Sequence, residues 1–168
     1  NMLKKAYFDL NDEPVLNEDG LHRWTAAYDV AGNQVMGAAF GVDNKPVVAW
    51  QGYHKWTGKY DQQGNQIEGC AFGIDGEPVL AWEQYHKWTA TFDADGNQLS
   101  WAAFGVEGAP IDSEKGYHRW EKEQLADGKQ VKTHYFNTQG IELTDKILPT
   151  ITEVSRDSKA MKAGLKNG

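Results

Sequence analysis

The sequence predicts an all-β fold: tandem β-hairpin repeats forming an open twisted antiparallel sheet or a β-solenoid, with a short C-terminal helix. Three observations carry this. A 32-residue period runs through the chain, linking His22, His54, His86 and His118, and likewise Trp24, Trp56, Trp88 and Trp120. Within each period a stretch of strict alternation is followed by a turn signal built on Asp and Gly. No helical pattern appears before residue 145. A fixed period of this size marks a repeat architecture, in which a unit too small to bury its apolar face stacks on its neighbours.

The first strand of each unit is clearest in the third copy. From Tyr85 to Phe92, alternation puts His86, Trp88, Ala90 and Phe92 on one face and Tyr85, Lys87, Thr89 and Thr91 on the other. Such a pattern, rich in aromatic and β-branched residues, is that of a half-buried antiparallel strand. Asp-x-x-Gly-Asn-Gln follows at Asp29 to Gln34, Asp61 to Gln66 and Asp93 to Gln98. Asp bonds its own turn backbone and Gly supplies a positive φ, so each run predicts a hairpin turn. The first apolar residue of the second strand is Val35, Ile67, Leu99 or Val131; the first three copies end in Ala-Phe-Gly, apolar on both sides, which predicts a bulge or a stretch covered on both faces. Further turns fall at Asp43 to Pro46, Asp75 to Pro78 and Glu107 to Pro110, before a short loop back to the next His-x-Trp strand.

The units are 8–39, 40–71, 72–103, 104–135 and a partial 136–143, making about eight main strands by the hairpin count. Residues 144–168 form a linker and a separate segment. The fourth copy decays: Tyr28, Tyr60 and Phe92 become Gln124, and Ala26, Gly58 and Ala90 become Lys122, as suits the outer unit of a stack. Leu3 to Phe8 has the pattern of the end of a second strand, and Asn1 before Met2 resembles an expression scar, which points to a piece of a longer protein. A four-bladed propeller is the alternative architecture, although the unit is shorter than a usual blade.

The stretch Gly-Tyr-His-Lys-Trp-Thr-x-x-Tyr-Asp-x-x-Gly-Asn-Gln at Gly52 to Gln66, with a later Ala-Phe-Gly, resembles the hairpin repeats of bacterial YD (RHS-type) and MORN-like proteins. The resemblance spans Phe8 to about Leu143 and implies a hairpin sheet used for scaffolding or binding, with no inherited catalytic residues. Ile151-Thr152-Glu153-Val154 and Ser158 to Gly168, with its Ala-Gly-Leu-x-x-Gly core, is similar to the strand and short helix of bacterial PDZ domains of envelope proteases. That second resemblance implies the opening piece of a PDZ domain, without the helix that walls its peptide groove.

The formal charge of -7 leaves no basic stripe for a phosphate backbone, so nucleic acid is not an expected partner. No apolar run is long enough to span a bilayer, and insertion is not expected. The single Cys70 allows no intrachain disulfide and falls at the phase of Ala38 and Ala102, as a small filler. The bacterial envelope and the cytoplasm are both compatible with this composition.

The histidine ladder invites a metal reading. Equivalent strands are separated by one intervening strand, so the histidines lie roughly 10 Å apart. Zinc–nitrogen bonds of about 2 Å cannot bridge such neighbours. No metal or cofactor is expected, and His22, Trp24, His54, Trp56, His86, Trp88, His118 and Trp120 read as structural repeat residues. Asp93-x-Asp95-Gly96-Asn97 lacks the closing glutamate of a calcium loop and reads as a turn. No Gly-x-Ser-x-Gly elbow, phosphate-binding glycine loop or Cys–His pair is present, so the chain is not expected to be an enzyme.

The candidate ligand-binding residues are the tryptophans that break the period: Trp50, Trp82 and Trp101. Glu18 and Glu114 stand at the phase of the first two, and Trp101 replaces Gly37 and Gly69. Tryptophan combines contact area with one donor, suiting a sugar ring, a peptide or another subunit. Arg23, Lys55, Lys87 and Arg119 form an invariant basic phase on the outer face. The expected function is a non-catalytic interaction or scaffold module of a larger bacterial protein, binding protein or cell-surface polymer through an aromatic face. Carbohydrate binding in particular, and a targeting arm of a PDZ-containing protease or hydrolase, are the alternatives. An exposed sheet edge also predicts pairing into a homo-oligomer.

Overall fold

The computed structural model describes residues 2–49, 51–125 and 131–144. Trp50, the tip of the fourth hairpin and the PDZ-like segment with its expected helix lie outside them. The described residues form one open, all-antiparallel sheet with strands in chain order. They are β1 (Met2–Ala6), β2 (Arg23–Tyr28), β3 (Gln34–Phe40), β4 (Lys55–Tyr60), β5 (Gln66–Phe72), β6 (Lys87–Phe92), β7 (Gln98–Phe104), β8 (Arg119–Gln124), β9 (Val131–Phe136) and β10 (Glu142–Leu143). Each strand pairs only with its chain neighbours, so the sheet does not close and the propeller alternative is set aside. The hairpin count undercounts by the flanking strands. β1 takes the place of a second strand, since Lys5 pairs with Trp24 as Gly37 pairs with Trp56.

The Asp-x-x-Gly turns form as their chemistry dictates. Asp29 Oδ1 accepts the backbone N–H groups of Ala31 at 2.9 Å and Asn33 at 2.8 Å, and its Oδ2 accepts the Asn33 side-chain amide at 2.9 Å. Gly32 closes the turn at φ 91°. Asp61 and Asp93 repeat the arrangement, so the Asp93–Asn97 run is a turn. These bonds, with the side-chain amide of Asn33, Asn65 or Asn97 foremost, hold the three carboxyls below the usual range.

Directly beside each turn the register slips, between Ala27 and Tyr28, Lys59 and Tyr60, and Thr91 and Phe92. Val35, Ile67 and Leu99 are the extra residues. The slip therefore opens the second strand and does not fall in its Ala-Phe-Gly end, where the sequence pattern suggested a bulge. At that end Ala38 and Ala39 are both buried, which accounts for its apolar pattern. The fourth hairpin pairs through to Gln124 and Val131 with no slip.

After each second strand the chain turns at Gly41, Gly73 or Gly105, bridges back through Pro46, Pro78 or Pro110, and crosses one face of the sheet. A third tight turn, in which the N–H of Ala49, Ala81 or Ser113 donates to the C=O of Tyr53, Tyr85 or Tyr117, returns it to the next strand. These crossings cover Ala39, Ala71 and Ala103, each with no exposed surface. Leu21, Ala49 and Val47 pack over Ala39, and Tyr53, Ala81 and Val79 over Ala71. The core is thus a thin layer between a sheet face and its own loops.

Candidate ligand-binding face

The loop-covered face also carries the tryptophans. Trp24, Trp56 and Trp88 are half-buried, and glycines beneath them make room. A Cβ on Gly37 would collide with the indoles of Trp24 and Trp56, and one on Gly69 with that of Trp88. Trp101 stands where these glycines stand and pairs directly with Trp120. Its indole therefore replaces the empty space over which the preceding tryptophans lie.

The result is a continuous row of rings running across the strands. Tyr53 lies 5.5 Å from Trp82, Trp82 5.4 Å from Tyr85, and Tyr85 5.2 Å from Trp101. Trp101 continues to Tyr117 at 6.1 Å, and Tyr117 to Tyr135 at 4.9 Å. Such tilted and edge-to-face spacings are favourable ring contacts. Alternation placed Tyr85 on the face opposite Trp88. The structure corrects this, because Tyr85 precedes β6 and belongs to the loop that folds over the tryptophan side.

Three clefts open along this row. One of 340 Å³ is lined by Tyr7, Trp24, Gln51 and Tyr53 among others, one of 240 Å³ by Tyr53, Trp56, Gln66, Trp82 and Trp88, and one of 180 Å³ by Glu83, Tyr85, Gln98, Trp101, Lys115, Tyr117 and Trp120. Gln66 and Gln98 reach this face because of the register slip, which sets them opposite Tyr60 and Phe92. The Tyr53 hydroxyl donates to Gln51 Oε1. Burial, with the Glu83 charge nearby, pushes the Tyr85 phenol up to about 12, and burial raises those of Tyr53 and Tyr117. All three phenols therefore stay protonated as donors near neutral pH. Larger open grooves of 560 and 540 Å³ surround the decayed fourth unit, but their walls are mainly polar and aliphatic.

The loops beneath the row are tied to one another. Trp82 N–H donates to Gln51 C=O at 3.3 Å, Glu114 N–H to Glu83 C=O at 3.1 Å, and Lys115 pairs with Glu83 at 2.7 Å. In the third unit this loop carries left-handed backbone at two non-glycine residues, Trp82 at φ 49° and Gln84 at φ 69°. Its counterparts use Gly20, Gly52 and Gly116 at the phase of Gln84.

The histidines do not join the clefts. His22, His54, His86 and His118 are buried and meet Phe8, Phe40, Phe72 and Phe104 edge-on at 5.2 to 5.4 Å. The Nδ1 of His22 is 2.8 Å from Tyr7 C=O and that of His86 2.7 Å from Ala71 C=O, whereas those of His54 and His118 are buried without a partner. Among the described residues no group of three His, Cys, Asp or Glu is placed to hold a metal ion, and no helix is long and apolar enough to cross a membrane.

The basic phase lies on the opposite, uncovered face. Arg23 sits 4.0 Å above the Phe40 ring, Lys55 4.9 Å above Phe72, Lys87 5.9 Å above Phe104 and Arg119 3.7 Å above Phe136. The row is thus a set of cations covering rings on the paired strand. Cys70 is half-buried there, and burial raises its thiol, which disfavours the reactive thiolate.

Of the candidate residues, Trp82 and Trp101 join one row, 5.4 and 5.2 Å either side of Tyr85. Sequence reasoning passed over Tyr53, Tyr85, Tyr117, Gln66 and Gln98. Their own 32-residue steps were the available signal. No family model matches this chain, and no curated protein matches it.

Proposed function

We propose that this chain is a non-catalytic interaction module of a larger bacterial protein, which binds a protein or cell-surface polymer through its aromatic face. The observation that carries this reading is the unbroken row of rings from Tyr53 to Tyr135, with clefts opening onto it. Interaction surfaces are enriched in tyrosine and tryptophan because such rings bury much area at little entropic cost. The tied loops hold them in place before any ligand arrives, which favours affinity by pre-organisation.

Co-sedimentation with insoluble polysaccharides and bacterial cell-wall sacculi, together with a binding screen against extended peptides, tests the reading. Trp82→Ala combined with Trp101→Ala should abolish retention while the far-ultraviolet spectrum is kept. Retention unchanged in that variant, or no retention on any probe, sinks the aromatic face as the binding surface.

A further inference from the structure

We infer that the aromatic face takes a linear, uncharged polysaccharide lying across the strands, with successive sugar pairs seated in the clefts that recur once per repeat. This rests on the proposed function and narrows its ligand. Four observations support it.

The first is spacing. Equivalent positions in successive units lie two strand steps apart, about 10 Å at about 4.8 Å per step. That length is comparable with a disaccharide unit of an extended glycan. A polymer with a matching repeat meets aromatic rings at each of the three clefts and a phase-matched amide at two of them, so its contacts add along one chain.

The second is the mixture of groups. Each of the two central clefts joins indole and phenol rings to one side-chain amide at a fixed phase, Gln66 in one and Gln98 in the other. Pyranose rings present C–H faces that pack on aromatic rings, and rims of hydroxyls that both donate and accept hydrogen bonds. The Nε2 of Gln66 gives one hydrogen to Glu68 C=O at 3.3 Å and that of Gln98 one to Ser100 C=O at 3.2 Å, which leaves each amide a second N–H and its carbonyl for such rims. The slip in register is what puts these amides among the rings.

The third is charge. A net charge of -7 disfavours approach of anionic polymers, and the cations of the basic phase lie on the other face, above their phenylalanines. Of the two lysines that line the clefts, Lys115 is paired with Glu83 and Lys5 lies over the Tyr7 ring. An extended peptide recognised by strand addition needs a free edge, whereas β4 to β7 under the clefts are paired on both sides.

The fourth is strain. Trp82 and Gln84 hold left-handed backbone in the loop that sets Trp82 between Tyr53 and Tyr85. Backbone in such regions is retained where the surroundings enforce it, and it clusters at ligand-binding positions.

The experiment uses the full chain and follows tryptophan fluorescence and titration calorimetry. The probes are gluco-, xylo- and N-acetylglucosamine hexasaccharides, their disaccharides, polygalacturonate and a set of extended peptides. At least one neutral hexasaccharide should bind, about tenfold or more tighter than its disaccharide, since it spans more than one cleft. Trp82→Ala and Trp101→Ala should each weaken it about tenfold. Should either fail to fold, Gln66→Ala and Gln98→Ala serve instead, with the same direction expected. Binding of peptides or polygalacturonate without any neutral glycan overturns the glycan and leaves the aromatic-face reading standing. Equal affinity for disaccharide and hexasaccharide overturns the repeat-matched seating. Glycan binding unaffected by all four substitutions overturns both readings.

Discussion

The two faces of this sheet are made from the same strands by different means. On the ring face, loops return over alanines with no exposed surface, and tryptophans lie over glycines that leave them room. On the other face no second layer is present among the described residues; Phe40, Phe72, Phe104 and Phe136 are covered by cations reaching from the paired strand. The ring face is therefore intolerant of added volume, whereas the uncovered face adapts by swinging long, solvated side chains. Packing and the proposed recognition surface sit together on one side, and the other side supplies modest, salt-sensitive support.

The largest expected effect tests that intolerance. Gly37→Ala places a Cβ among the indoles of Trp24 and Trp56, and overpacking of this kind costs about 2 kcal/mol. Ala102→Val, on the uncovered face beside Thr89 and Arg119, should change stability far less. Urea unfolding of the two variants compares them directly. Equal losses would mean that the faces do not differ in packing.

A smaller effect, of opposite sign, comes from the strained loop. Gln84 adopts φ 69° where the other units have glycine, and relieving a left-handed non-glycine residue is worth about 1 kcal/mol. Gln84→Gly should therefore raise the unfolding midpoint. A lower midpoint would show that the Gln84 side chain contributes more than its backbone costs.

How far these features could be read in the sequence depends on which periodicity governs them. The first strands follow from His-x-Trp alternation, and the turns from Asp29, Asp61 and Asp93 with their glycines, because both are local chemistry. Tyr85 escapes the same logic: alternation holds only inside a strand, and Tyr85 lies in the loop before one. The slip at Val35, Ile67 and Leu99 is invisible for a related reason, since one extra residue preserves the composition while exchanging faces. Trp101 was legible as an exception to Gly37 and Gly69, but the reason for glycine there is a tryptophan on a neighbouring strand, Trp24 before and Trp56 after Gly37, and Trp88 after Gly69. Those contacts cross between strands and leave no local mark.

On the uncovered face, Glu68 tests how much charge contributes. It pairs with Lys59 at 2.8 Å and Lys87 at 2.7 Å. Burial pushes its carboxyl up, but the hydrogen bonds and charges of the two lysines outweigh this and leave it below the usual range. Glu68→Gln should cost about 0.5 kcal/mol after screening, and less in high salt. A loss that persists in molar salt would point to packing instead.

The smallest effect expected is one of pH, and it separates the faces without altering volume. His134 on β9 is held by Glu142 at 2.7 Å through Nδ1 and by Glu123 at 3.0 Å through Nε2. With both ring nitrogens facing carboxylates the imidazolium is favoured; Glu142 first and Glu123 second raise its pKa, and nearby Lys132 opposes them. Glu121, directly across the strand pair, is itself paired with Arg119 at 2.6 Å. A raised folded-state pKa means that the stabilisation is fully present below the ordinary value of 6.5 and is lost as pH rises through the higher folded value. His134→Gln should flatten this part of the pH dependence between about pH 5 and pH 8. Glycan or peptide affinity measured on the ring face should keep the same pH profile in this variant. A shift in that affinity would show that the two faces communicate through the sheet, and the division of labour between them would have to be redrawn.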